Sequence, residues 1–336
     1  MNHRPLGHSG LRVSPLCLGT MMFADRTDEA EAAKIVALAR EAGVNFIDTA
    51  DVYSRGGAEA MVGRLIEADR HDWVLASKVG NPMSDKPNET GLGRKWMLRA
   101  IDESLGRLGT DHLDIYYLHL PDPATPMEET LSALDAIVSA GKARYWGVSN
   151  FRAWQIAELV NLAAGMGLDP PVVCQPYYNA MNRQPEVEVL PVCDHHGLGV
   201  VPYSPLARGV LTGKYTPGAA PPEGTRAGRG NKRILESEFR EESLEIAQKI
   251  RARAEAQGMT AGQWALNWVL ANPIVSAAIA GPRTAAQWQE NLGALEHDWD
   301  PENETFLDAL VAPGHPSTPG YSDPSYPLIG RPVAKA

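Results

Sequence analysis

Val44-Asn45-Phe46-Ile47-Asp48-Thr49-Ala50-Asp51-Val52-Tyr53 is an apolar run that closes on an acid and delivers a phenol five residues later. The same shape recurs downstream. Trp73-Val74-Leu75-Ala76-Ser77 closes on Lys78, and Leu113-Asp114-Ile115-Tyr116-Tyr117-Leu118 closes on His119. Short apolar runs of this kind read as buried strands. An acid, a phenol, an amine and an imidazole at three successive strand ends suit a proton-transfer site.

Working outward, strand-like runs begin near Leu16, Val44, Trp73, Leu113, Ala143, Val172, Gly199 and Val275. Most are spaced by about thirty residues, the length of one strand–loop–helix–loop unit. The segments between them carry helix signals. Asp28 with Glu31 has the capping-box pattern, and Ile35, Leu38 and Ala39 form an apolar face that Gly43 ends. Thr125, Pro126 and Glu128 open another helix, with Leu131, Leu134, Ile137 and Val138 inward and Gly141 beyond its end. Met97, Ile101, Leu105 and Leu108 stripe a third, stopped at Gly109. Alternation of this length predicts an α/β fold of the (β/α)8 TIM-barrel type. A doubly wound open sheet is the competitor, but it does not usually need eight equivalent units.

A short N-terminal β-hairpin is expected over 4–6 and 11–13. The gap between Gly199 and Val275 exceeds one unit: 216–230, rich in Gly, Pro and Arg, reads as an irregular loop, followed by helices over about 240–257 and 260–270. Residues 1–312 read as a single barrel domain with long loops on the C-terminal face of its strands. Residues 313–336 read as an irregular Pro/Gly/Tyr-rich tail that shapes a substrate pocket rather than stabilising the barrel.

The chain of 336 residues is 44% hydrophobic and 21% charged, with a net charge of −10. That balance suits a globular protein and disfavours nucleic acid or an anionic membrane as the main partner. Cys17, Cys174 and Cys193 are too few for a disulfide framework. No leader-like or membrane-length apolar run is present in the sequence, so a cytoplasmic location is expected.

In a barrel of this type the site lies at the strand C-terminal ends. Read in order, those ends are Thr20, Asp48, Lys78, His119, Ser149-Asn150, Gln175, Tyr203 and Gly281. A free tyrosine titrates near about 10, high for donating a proton at neutrality. An ammonium such as Lys78 favours the phenolate and lowers that value. Asp48 can orient the lysine, and His119 can hydrogen-bond a carbonyl oxygen. Such a set protonates an oxygen as charge develops on it, as carbonyl reduction by hydride demands.

No Gly-x-Gly-x-x-Gly follows any strand. Gly209-Val210-Leu211-Thr212-Gly213-Lys214-Tyr215 resembles a phosphate loop only superficially, since its glycines are too close and Tyr215 stands where Ser or Thr would bind magnesium. A flap over a cofactor's phosphates fits it better. Gly281-Pro282-Arg283-Thr284-Ala285-Ala286-Gln287 follows the last strand, with Thr284 and Gln287 spaced as a capping box. A helix start with free N–H groups and Arg283 beside it is expected to receive a phosphate.

Over nearly its whole length the chain resembles the aldo-keto reductases. Residues 46–53, with Glu59 and Gly63 after them, are similar to the family's signature around the aspartate and tyrosine. Gly141-Lys142-Ala143-Arg144-Tyr145-Trp146-Gly147-Val148-Ser149-Asn150-Phe151 is similar to a second, Tyr203-Ser204-Pro205-Leu206 to a third, and 281–291 to a fourth. The resemblance implies a catalytic tetrad at Asp48, Tyr53, Lys78 and His119, and NADP(H) as cofactor. It implies that Ser149, Asn150 and Gln175 hold the carboxamide, that Tyr203 stacks on the nicotinamide, and that Ser204, Leu206, Gly209 and Leu211 line the pyrophosphate passage. Gly281, Arg283, Gln287 and Asn291, with Glu290 nearby, would take the adenosine phosphate end. Pro282 departs from relatives that carry an N–H donor there.

The expected activity is reduction of a small-molecule aldehyde or ketone. The alternatives are a cofactor-binding regulatory role on the same scaffold, as in potassium-channel beta subunits, and oxidation of an alcohol or sugar. The short segment before the hairpin favours the enzyme. Met22, Phe23, Tyr53, Asn81, Pro82, Trp96, Leu120 and the tail tyrosines are candidates for the pocket lining. No metal is expected: Cys193, His195 and His196 suit a helix end. Trp264, Trp268 and Cys174 are expected in the core.

Overall fold

A computed structural model describes residues 1–327. Two short strands, β1 (Arg4–Pro5) and β2 (Arg12–Val13), pair antiparallel. Eight parallel strands follow: β3 (Leu16–Gly19), β4 (Phe46–Asp48), β5 (Val74–Val79), β6 (Leu113–Leu118), β7 (Ala143–Ser149), β8 (Val173–Gln175), β9 (Gly199–Val200) and β10 (Ala278–Ala280). They are hydrogen-bonded in the order β10-β3-β4-β5-β6-β7-β8-β9. The remaining edges meet where the Ser276 and Ile279 N–H groups donate to the Val200 and Pro202 carbonyls at 2.8 and 2.9 Å. A closed (β/α)8 barrel results, leaving no open edge.

Six helices follow the first six barrel strands in turn: α1 (Glu29–Glu41), α2 (Gly57–Ile66), α3 (Arg94–Leu108), α4 (Met127–Ser139), α5 (Ala153–Met166) and α6 (Val189–His196). The long excursion between β9 and β10 holds α7 (Lys232–Ser237), α8 (Glu241–Ala256) and α9 (Ala261–Ala271). After β10 come α10 (Ala285–Leu292) and α11 (Glu302–Asp308). The apolar stripes face inward as their spacing predicts. Met97, Ile101, Leu105 and Leu108 of α3 are all buried, and Gly109 ends that helix with φ +63°. Asp28 caps α1 by accepting the Glu31 N–H at 2.9 Å, but the Glu31 side chain does not return to Asp28. It reaches α10 instead.

Two apolar layers hold the barrel. Phe46, Ala76, Ile115, Tyr117, Val173 and Val201 fill its interior, and Leu6 and Val13 from the hairpin join them. The larger outer layer lies between strands and helices and includes Trp264, Trp268 and Cys174. Phe23 and Trp96 belong to it as well, so they are core residues rather than pocket lining.

Residues 313–327 form no helix or strand, yet they are tied down. The Arg183 N–H donates to the His315 carbonyl, the Ser317 N–H to the Met181 carbonyl, and Arg233 pairs with the buried Asp323 carboxylate. Arg152 donates to the Tyr326 carbonyl at 2.7 Å. These bonds reach the loops after β7, β8 and β9; residues 328–336 of the expected tail lie outside the described residues.

Helices α2 and α3 approach so closely that a Cβ on Gly63 would lie 2.3 Å from the Leu108 carbonyl oxygen. Ala is favoured over Gly in a helix by roughly 1 kcal/mol. A forced backbone shift costs about 1–3 kcal/mol, so packing outweighs propensity here. Gly63→Ala should lower the urea midpoint; a rise would mean that the two helices part without cost.

Candidate active site

Three strand ends and one connection bring the four acid–base residues together. Lys78, at the penultimate position of β5, is 0% exposed, and Asp48, the last residue of β4, is 2% exposed. The lysine Nζ donates to Asp48 Oδ1 at 2.5 Å and to the Thr49 carbonyl at 2.7 Å, with Tyr53 Oη at 3.4 Å. The other Asp48 oxygen accepts from Gln175 Nε2 at 2.9 Å. His119 follows β6, its ring edge-on to Tyr53 with centroids 6.0 Å apart.

Tyr53 is held by an unusual backbone. Ser54 and Arg55 take left-handed conformations, φ +49° and +52°, before Gly56 at +89°. Such conformations are uncommon for residues with a Cβ and persist where the surroundings fix them. Here the Ser54 hydroxyl donates to the Phe23 carbonyl at 3.0 Å. Val52, Tyr53 and Arg55 line an open cavity of about 580 Å³ together with Met21, Ala24 and Asp25.

Burial and charge set the protonation states. Burial works to lower Lys78, but Asp48 and then Tyr53 prevail and hold it above the ordinary lysine value. The ammonium is thus retained. His119 falls well below the usual imidazole value, through burial and then the Lys78 charge, so its ring is neutral. Tyr53 departs from expectation. Burial raises it, and the Lys78 charge only partly offsets that rise. The lysine does favour the phenolate, but desolvation is the larger effect, so the resting side chain keeps its proton.

A hydrogen-bonded chain continues around the same face. Ser149 Oγ donates to the Gln175 carbonyl at 2.8 Å, and Asn150 Nδ2 to the His119 carbonyl at 2.8 Å. The Tyr203 hydroxyl donates to Asn150 Oδ1 at 2.7 Å. The backbone beyond Tyr203 is irregular, with positive φ at Ser204, Ala207, Arg208 and Gly209. Asn179 Nδ2 holds the Ser204 carbonyl at 3.0 Å, and Leu211 is buried while Leu206 is partly so.

At the start of α10, Thr284 accepts the Gln287 N–H, but the Gln287 side chain accepts from Arg283 N rather than closing a capping box. The Ala285 N–H goes to Glu31 Oε1 at 2.7 Å. The free N–H groups expected there are largely taken by the protein's own side chains. What remains is positive charge. Arg283 lies near Lys214, and burial and then Arg283 lower that lysine, with Glu290 opposing. Burial and Arg208 push Arg226 down to about 10, and Arg229 adds to this. Among the described residues, none of Arg208, Lys214, Arg226, Arg229 and Arg283 has a carboxylate within ion-pair distance, although the whole chain carries −10. Unpaired cations, three of them (Arg208, Arg226 and Arg283) half-buried, suit a phosphate-bearing ligand. Sequence reasoning passed over four of these five. The signal for three of them was the arginines of 216–230 and the lysine of the false phosphate loop; Arg208 carried none.

The family model described as "Aldo/keto reductase family" matches residues 15–312. The chain belongs to the aldo/keto reductase family. Among its relatives in that family are a probable voltage-gated potassium channel subunit beta of Arabidopsis thaliana and the uncharacterized oxidoreductase YrpG of Bacillus subtilis. The first is 39% identical over 303 residues, covering 88% of this chain and 92% of the relative. The second is 37% identical over 334 residues, covering 96% and 100%. Family membership makes the chain an NAD(P)-dependent oxidoreductase acting on carbonyl groups. No helix among the described residues is long and apolar enough to cross a membrane.

Removing one member of a buried ion pair strands the other charge and costs about 3–5 kcal/mol. Asp48→Asn should therefore lose roughly 3 kcal/mol or more in urea unfolding at neutral pH. A loss below about 1 kcal/mol would mean that Thr49 and water already satisfy Lys78.

Proposed function

We propose that this chain reduces an aldehyde or ketone to the alcohol with NADPH, with Tyr53 as general acid. The observation that carries the reading is a buried ammonium, Lys78, set between the carboxylate that holds it and the phenol it faces. The bound nicotinamide would supply hydride to the carbonyl carbon. Tyr53 gives its proton to the oxygen as negative charge develops there. Lys78 stabilises the phenolate left behind, and Asp48 keeps the lysine charged and aimed. Neutral His119 orients the carbonyl oxygen by a hydrogen bond. Ser149, Asn150 and Gln175 would hold the carboxamide beside this group, Tyr203 would stack on the ring, and Ser204, Leu206, Gly209 and Leu211 would line the pyrophosphate passage. Gly281, Gln287, Glu290 and Asn291 would border the adenosine end.

Tyr53→Phe removes one hydroxyl while keeping the ring's volume. Carbonyl turnover should fall by about a thousand-fold, within the range of general acid catalysis, with NADPH affinity retained in a fluorescence titration. Turnover within a few-fold of the parent would remove Tyr53 from the role.

The unpaired cations support NADPH over NADH, since the two differ by one phosphate. A charge-assisted contact contributes on the order of 1.5–3 kcal/mol, about ten- to a hundred-fold in affinity. Arg283→Ala and Lys214→Ala should each weaken NADPH at least several-fold. Arg283→Ala should leave NADH nearly unchanged. Equal losses for both cofactors in the Arg283 variant would make that residue a loop support.

A cofactor-binding subunit of a larger assembly is the second reading, favoured by the relatives named as channel subunits. Steady-state turnover of the purified chain over a panel of carbonyls separates the two.

A further inference from the structure

Two residues before Tyr53 lies a carboxyl group that the mechanism leaves unused. Asp51 is 1% exposed, and no hydrogen bond of good geometry reaches either of its side-chain oxygens. Its backbone N–H donates to the Lys78 carbonyl at 3.4 Å, so it is fastened to the strand end that carries the lysine. An ionised carboxylate without partners in such a place is strongly disfavoured.

The groups around it deepen that cost. From α2, Glu59 is 0% exposed, and its carboxylate accepts from Ser77 of β5 and from Arg107 of α3, the latter at 2.7 Å. Arg107 is thus committed to Glu59. From β6 comes Tyr116, fully buried, its hydroxyl also without a partner. Lys78 of β5 is committed to Asp48, and Tyr53 faces the group from its own connection. One anion, Glu59, already sits in this cluster with its cation, and a second would have none.

We propose that Asp51 is a positioning residue that carries a proton at neutral pH and, by staying neutral, leaves the Lys78 charge free to act on Tyr53. The proposal rests on Tyr53 being the acid. Burial first and Glu59 second push Asp51 up to about 8, with Val52 N–H, Arg107 and Lys78 offsetting only part. Once Asp51 ionises, its charge opposes that of Lys78 and makes the Tyr53 proton harder to give up. Reduction therefore weakens as pH climbs through about 8, before Tyr53 itself titrates. The acid also destabilises the fold above the ordinary carboxylate range, and a costly buried group beside reacting residues is a reason to look for function.

The test compares single-turnover reduction at saturating NADPH for the parent, Asp51→Asn and Asp51→Ala over the neutral to alkaline range. Asn mimics the protonated acid in shape and charge. Asp51→Asn should keep the neutral rate within a few-fold and lose the downward break near about 8, and Asp51→Ala, likewise uncharged, should lose that break too. Superposable profiles for parent and Asp51→Asn, or a collapse of the Asn variant at neutral pH, would overturn the proposal. Infrared titration of the parent labelled with carbon-13 aspartate needs neither folding of a variant nor turnover. It should show a protonated aspartate carboxyl stretch at neutral pH that bleaches near about 8; its absence is contrary. An active Tyr53→Phe enzyme beside an intact infrared band would locate the failure in the Tyr53 assignment instead.

Discussion

The buried ion pair between Asp48 and Lys78 is the constraint on which the site depends. An ammonium at 0% exposure survives only because a carboxylate 2.5 Å away and the Thr49 carbonyl replace its water. The pair also ties β4 to its neighbour β5, while Gln175 of β8 reaches across to the second Asp48 oxygen. That retained charge then acts, beside burial, on the other acid–base groups. His119 is kept neutral by burial and then the lysine, and in the proposed reaction Tyr53 would meet a fixed cation as it loses its proton. Such fixed charge acts without reorganisation at the moment of reaction.

The barrel makes this affordable. Parallel strands buried on both faces are rigid, and their C-terminal ends open on one rim, so side chains distant in sequence meet there. The hairpin closes the opposite end with Leu6 and Val13, so the two ends of the barrel serve different purposes. The long excursion after β9 and the tail then build over the rim. Arg233 of the excursion pairs with Asp323 and fastens the tail, while Arg208, Arg226 and Arg229 have no carboxylate within ion-pair distance among the described residues.

The barrel was legible in the sequence because every barrel strand is an apolar run and most are followed by an apolar stripe with a glycine stop, as at Gly109. The meeting of Asp48, Lys78 and His119 was legible for the same reason: a polar residue closing an apolar run points at the rim. Less legible were interactions that cross between units. Glu31, read as half of a local capping box, instead reaches the start of α10. Gln287 turns back to Arg283, a choice that spacing alone does not distinguish. Phe23 and Trp96 were misplaced because a large aromatic in a loop or early helix turn looks alike whether it faces a pocket or the core. The sign of the Tyr53 shift needed burial, which no spacing reports.

The most direct test is a nitrogen-15 NMR titration of the Lys78 ammonium in the intact protein, assigned with Lys78→Met. The group should stay charged throughout the neutral range and titrate above the ordinary lysine value, because Asp48 and Tyr53 together outweigh burial. In Asp48→Asn its titration should move downward. A neutral Lys78 amine at physiological pH in the parent protein would contradict the account, since nothing would then stabilise the phenolate of Tyr53.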